Sequence, residues 1–134
     1  MEQTFKIERL KSRPQFLAAA KGVSEARGAV VIQRLDRADG DPVVRLGFTA
    51  TRKIGGAVVR NRAKRRLREA ARLLAPDLAV AGSDYVFIAR MGTADRPWVR
   101  LLDDVKSTLT RLATPRPATK VARPAPPLPA GQDS

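Results

Sequence analysis

The stretch from Arg52 to Arg72, RKIGGAVVRNRAKRRLREAAR, limits what this chain can fold into more than any other. It holds nine cations (seven Arg and two Lys) against one acid, Glu69, within a chain whose formal charge is +13. At about 100° per residue, Val59, Ala63, Leu67, Ala70, Ala71 and Leu74 share one helical arc that suits packing on a sheet. Arg60, Lys64 and Arg68 line one border of that arc, Arg62 and Arg66 the other, and Asn61, Arg65 and Arg72 lie outside it. Like charges spaced four apart repel, so this helix is not built for stability alone. A run of phosphates would relieve the repulsion, and the preference for Arg suits planar, two-point phosphate contacts. The apolar arc is mostly Ala and Val, too small for a membrane-surface helix. Arg52-Lys53-Ile54-Gly55-Gly56 precedes the helix. Two glycines at a strand-to-helix junction admit a ligand close to the backbone, and the free N–H groups of the helix start favour an anion.

The chain contains neither His nor Cys, which removes disulfides, thiol nucleophiles, Cys/His zinc sites and a His general base. No catalytic set of side chains is apparent and no metal site is assigned. Asp103-Asp104 reads as a solvated acidic face, and Asp36, Asp39 and Asp41 as turn residues. With no signal-peptide core and no apolar run of membrane-spanning length, the chain reads as a soluble, cytoplasmic protein with a nucleic-acid partner.

The ends differ from the middle. Six of the ten prolines fall in the last 21 residues, so residues 114–134 read as a disordered tail and residues 1–113 as one domain. Ser12, Pro14 and Gln15 open a first helix that Gly22 ends. Gly28–Leu35 and Val43–Ala50 read as strands joined in a hairpin across a turn-rich loop. Ser83–Arg90 is a further strand, and Thr4–Arg9 is compatible with a short one. A last helix starts at Asp95 or Arg96, with Trp98, Leu101, Leu102, Val105, Leu109 and Leu112 on its apolar stripe. Trp98 reads as a core anchor.

Gly47 to Arg68, GFTATRKIGGAVVRNRAKRRLR, resembles the signature of the bacterial ribonuclease P protein component. Lys53-Ile54-Gly55, Ala57-Val58, Arg60-Asn61-Arg62, Lys64-Arg65 and Arg68 fill that block without a gap. Arg9-Leu10, Phe16, Ile88-Ala89-Arg90 and the amphipathic last helix follow in the same order, so the resemblance covers residues 5–113. It implies an α+β fold: a two-layer α/β sandwich of order αβββαβα, its four-stranded sheet containing a left-handed βαβ crossover, as in the second domain of a small-subunit ribosomal protein. It also implies an endoribonuclease subunit that helps to remove the 5′ leader of precursor tRNA. Chemistry would come from a catalytic RNA with Mg²⁺, held mainly by that RNA and the substrate. The protein would act as a monomer, one per RNA. Arg52, Lys53, Arg60, Asn61, Arg62, Lys64, Arg65, Arg66 and Arg68 would bind RNA, and Phe16 and Arg90 the leader.

The chain departs from the family pattern in one place. Family members usually carry an aromatic one turn after Phe16, where this chain has Ala20, and often another on the second strand, where it has Gln33. Both positions belong to the leader cleft, so Phe16 alone is left to stack, worth about 1–3 kcal/mol per base. The rival reading is a ribosome-associated or RNA-chaperone protein with no reaction attached. Capture of one structured RNA rather than bulk ribosomal RNA separates the two.

Overall fold

A computed structural model of the chain describes residues 5–113; the Pro-rich segment read as a tail lies outside the described residues. The elements run β1 (Ile7–Arg9), α1 (Arg13–Ala20), β2 (Val23–Arg27), β3 (Val30–Asp36), β4 (Val44–Thr49), a 3₁₀ turn (Arg52–Ile54), α2 (Ala57–Leu78), β5 (Ser83–Ala89) and α3 (Trp98–Ala113). Gln15 closes the start of α1 as its spacing predicts. Its Oε1 accepts the Lys11 N–H at 2.7 Å and the Ser12 N–H at 3.2 Å.

The sheet has five strands, not four, in the order β1-β4-β5-β3-β2. The added strand is β1. Val44 N–H donates to Lys6 O (2.8 Å) and Leu10 N–H to Leu46 O (2.9 Å), so the amino-terminal segment satisfies an otherwise bare edge of β4.

The hairpin expected between Gly28–Leu35 and Val43–Ala50 does not form. β3 instead turns back on β2 through Gly28-Ala29, with Arg27 opposite Val30, and β5 lies between β3 and β4. The loop between β3 and β4 straddles the start of β5: Arg37 N–H donates to Gly82 O at 3.1 Å and Gly82 N–H to Pro42 O at 2.9 Å. Asp84, with its side chain 2% exposed, then holds both flanks. It accepts from Arg37 Nη1 at 2.8 Å and from Arg45 Nε and Nη2 at 2.8 and 3.1 Å. Asp36, Asp39 and Asp41 are turn residues as read, each accepting a backbone N–H two residues on.

α2 and α3 cover one face of the sheet, where Ile32, Val44, Tyr85, Phe87, Leu67, Leu101, Val105 and Leu109 form the main core. α1 lies on the other face. There Leu10, Ala19 and Val86 form a second cluster with Phe16, Leu35 and Ile88 packed against it. The expected two-layer sandwich therefore gains a partial third layer, because β5 is apolar on both faces.

On α2, burial begins at Ala63 and continues through Leu67, Ala70, Ala71 and Ala75. Val59, expected in the core, is 38% exposed, because the first turn of the helix projects past the packed layer. α3 starts at Trp98, two or three residues later than the expected Arg96 or Asp95. The bonds Asp95 N–H to Gly92 O and Arg96 N–H to Gly92 O form a tight turn first, and a residue before proline disfavours helix. Trp98 packs against the main core as an anchor.

Asp104 is also not the solvated acid it resembles. Its side chain is 3% exposed against 59% for Asp103. It accepts the Ala29 N–H at 3.0 Å and two bonds from Arg96 at 2.8 and 3.2 Å. Gly28 makes this fit possible, having φ +53° and no Cβ to strike the carboxylate, which would lie 2.4 Å away. Breaking a buried ion pair at one partner costs about 3–5 kcal/mol. Asp84→Asn is therefore expected to lower stability by about that much in urea denaturation, whereas Asp103→Asn stays within about 0.5 kcal/mol.

Candidate nucleic-acid interface

β4 and β5 run parallel, with Thr49 opposite Ile88, so both strands finish at the same end of the sheet. The chain leaving β4 there makes the 3₁₀ turn with exposed Arg52 and Lys53, passes Gly55 at φ +142°, and starts α2 from Gly56. The chain leaving β5 there carries exposed Arg90, whose Nη1 lies 3.4 Å from Gly28 O. Arg52 and Arg90, far apart in sequence, are thus gathered at one end of a parallel strand pair, beside a helix N-terminus. This is the end at which open sheets with helical crossovers usually bind ligands.

Along α2 the predicted residues divide. Asn61, Arg62, Arg65 and Arg68 are exposed and Lys64 is half-buried. Arg60 is half-buried, and its Nε is shielded from solvent without a hydrogen-bond partner. Arg68 lies over the Phe48 ring, 5.8 Å from its centroid, and Phe48 stacks on Phe87 at 5.1 Å. Arg72 pairs with Glu69 within the helix.

Arg66, expected to contact RNA, turns inward instead. It donates to Thr93 O at 2.7 Å and to Arg96 O, and its guanidinium sits 5.7 Å above the Trp98 ring. Burial and the neighbouring Arg62 charge pull its pKa below the usual arginine value. Thr93 extends this network. Its Oγ1 donates to Ala29 O at 2.6 Å and accepts the Arg90 N–H at 2.7 Å. Arg66 therefore fixes the loop that presents Arg90.

The other predicted element lies on the opposite face. Phe16 is half-buried on α1, its ring edge occupying the space above Gly47. A Cβ added to Gly47 would lie 2.5 Å from Phe16 Cε2 and 2.7 Å from Cζ. Sequence reasoning missed this contact, although a glycine inside the strand pattern VVRLGFTA is the signal of such a close approach. Gly47, Val86 and Gln33 form one row across the sheet, and Thr49, Ile88 and Val31 form the next. That second row leads from Phe16 toward the cationic end. Phe16 and the basic helix thus stand on opposite faces, and the two faces meet at Arg52, Lys53 and Arg90.

Comparison with known proteins gives a consistent result. The family model described as Ribonuclease P matches residues 5–113. The ribonuclease P protein component of Caulobacter vibrioides is 63% identical over 122 residues, covering 90% of this chain and 82% of that protein. The protein of the same name from Ruegeria pomeroyi is 47% identical over 113 residues, covering 83% of this chain and 90% of that one. Among solved structures, the RNase P protein of Staphylococcus aureus is similar with a TM-score of 0.65 at 28% identity, over 78% of this chain and 94% of that one. The Thermotoga maritima RNase P protein gives 0.66 at 28% identity, over 77% and 96%. With its signature helix, its sheet and its sequence all in agreement, the chain belongs to the family of bacterial ribonuclease P protein components.

Proposed function

We propose that this chain acts in the cytoplasm as the single protein subunit of a ribonucleoprotein endonuclease, docking the catalytic RNA on α2 and the 5′ leader of precursor tRNA on the α1 face. The observation that carries this reading is the row of solvent-facing cations on α2, Arg62, Arg65 and Arg68, with Arg52 and Lys53 at the sheet end where the α1 and α2 faces meet. None of these side chains is neutralised by an acid among the described residues. Electrostatics of this kind positions RNA backbones rather than reading bases.

The chemistry fits the RNA better than this chain. Asp84 and Asp104 are each neutralised by arginine, and Asp36, Asp39 and Asp41 each give an oxygen to a backbone N–H. These carboxylates do not fit a Mg²⁺ site. The metal in this reading is held by the RNA partner and the substrate, and the protein contributes phosphate contacts and positioning.

Two experiments on the reconstituted ribonucleoprotein test the assignment. Arg62→Ala and Arg65→Ala should each weaken binding of the catalytic RNA and reduce the slope of log K against log salt by about 0.7–0.9. Arg66→Ala should instead lower the melting temperature and change the slope far less. Equal slopes for all three variants and the parent would remove α2 from the docking surface.

Phe16→Leu separates stacking from packing, since leucine still fills the space above Gly47 but offers no ring face. Precursor tRNA affinity should fall by about 1–3 kcal/mol with mature tRNA affinity and melting temperature nearly unchanged. Equal losses on both RNAs would place Phe16 in the fold alone.

A further inference from the structure

A cleft at the cationic end of the sheet holds an acid where phosphates are expected. The β2–β3 turn contributes Gly28 and Ala29 to it, and the loop after β5 contributes Met91, Asp95 and Pro97. It encloses about 330 Å³, at the low end of the roughly 300–1,000 Å³ of small-ligand clefts, so it suits one flat ring system rather than an extended molecule. Its walls are fastened to each other and to α2. Thr93 Oγ1 donates to Ala29 O at 2.6 Å, while Arg66 of α2 donates to Thr93 O at 2.7 Å and to Arg96 O. Met91, 73% exposed, offers a thioether of the kind that packs well on ring systems.

Asp95 is the anomaly. It is exposed, and among the described residues its carboxylate makes no hydrogen bond or ion pair. It does not cap α3, whose entry bond runs from Leu101 N–H to Pro97 O. Burial and the Arg62 charge lower the Arg66 pKa and Asp95 opposes them, so this acid stands within electrostatic reach of the α2 cations. Left to itself, an anion there repels the phosphates that Arg62, Arg65 and Arg90 attract. It becomes favourable only by accepting bonds from the RNA.

An ionised carboxylate accepts through two oxygens side by side and donates nothing. Its complement is an edge with two adjacent donors. Of the four bases guanine alone has one, in its N1–H and N2 amino group; the other three flank their donor with acceptors that a carboxylate repels. That edge is free where the guanine is unpaired.

We propose that this cleft holds one unpaired guanine of the catalytic RNA docked on α2, with Asp95 accepting from N1–H and the N2 amino group and Met91 lying against the ring. This contact rests on the α2 docking reading and adds base recognition to a surface otherwise bound through phosphates. The loop that walls the cleft is bonded to α2, which favours the catalytic RNA over the leader as the source of the base.

The ribonucleoprotein of the full chain and the catalytic RNA, with no precursor tRNA, decides it. Asp95→Asn removes one negative charge, so a merely solvated Asp95 gives tighter RNA binding. In the proposed contact the new amide sets a donor against a donor. Affinity should then fall by about 5- to 150-fold, the range of one lost two-point base contact, with the melting temperature nearly unchanged because no protein bond is lost. Kethoxal reacts at N1 and N2 of unpaired guanine. It should find one guanine shielded by the parent and open with Asp95→Asn. Inosine at that position lacks only the N2 amino group, and should weaken the parent complex while leaving the Asp95→Asn complex as it is. Met91→Ala, which changes no charge, should weaken RNA binding at an unchanged salt slope.

Tighter binding by Asp95→Asn, one kethoxal pattern for both proteins, or an equal inosine effect on both overturns the proposal. A defect of Asp95→Asn confined to precursor tRNA overturns it too, by giving the cleft to the substrate. Arg62→Ala judges the α2 reading separately: a reduced salt slope keeps α2 as the docking surface whatever becomes of the cleft, and an unchanged slope removes α2 itself.

Discussion

Everything in this fold depends on β5 lying between β3 and β4, and Asp84 holds that arrangement at its open end. A carboxylate 2% exposed would be untenable alone, since its desolvation costs several kcal/mol. Arg37, from the loop after β3, and Arg45, from β4, reach it from the two sides. Arg37 also donates to Asp41 O and Val43 O, so one guanidinium folds the loop over the strand it crosses. The same insertion makes β4 and β5 parallel neighbours, and parallel neighbours need a long crossover. In this chain the crossover is the basic helix.

The arginines of this protein fall into two groups that composition cannot separate. Arg37, Arg45, Arg66 and Arg96 face inward and satisfy carboxylates or loop carbonyls. Arg62, Arg65 and Arg68 share a helix with Arg66 but face water. The rotation between Arg65 and Arg66 is about 100°, enough to move one guanidinium from solvent to the Thr93–Arg96 loop. Arg66 then ties the helix to the loop that holds Arg90, while Asp104 ties the same loop to the β2–β3 turn through Arg96 and Ala29. The loop at the cationic end of the sheet is thereby bonded to α2, to α3 and to the β2–β3 turn.

Local rules account for a large share of this molecule. The basic block with its glycine turn marks both the helix and the family, because rows of like charge at four-residue spacing make sense only with a polyanion. The cap at Ser12–Gln15, the strand at Ser83 and the stripe on α3 follow from neighbours in the chain. The hairpin expected between β3 and β4 fails for a specific reason. Strand pairing is a long-range choice, and nothing local distinguishes a loop that turns back from one that straddles a third strand. Asp104 escapes local reasoning likewise, since an acid beside an acid looks solvated until Arg96, two turns away along the chain, is folded onto it.

The sequence by itself determined the three helices, the strands β3, β4 and β5 but not β2, and that the chain's excess charge is concentrated on one helix for a polyanionic partner. Those properties depend on periodicity and on contacts within a few residues. Only the tertiary structure decided which arginines remain free, where Phe16 stands relative to the basic helix, and that Arg52 and Arg90 meet at one end of the sheet. It also put Gln33 on the Phe16 face. Each of these follows from the order and direction of the strands, and that order is fixed by burying β5 on both faces and neutralising Asp84 from both sides, by groups far apart in the chain.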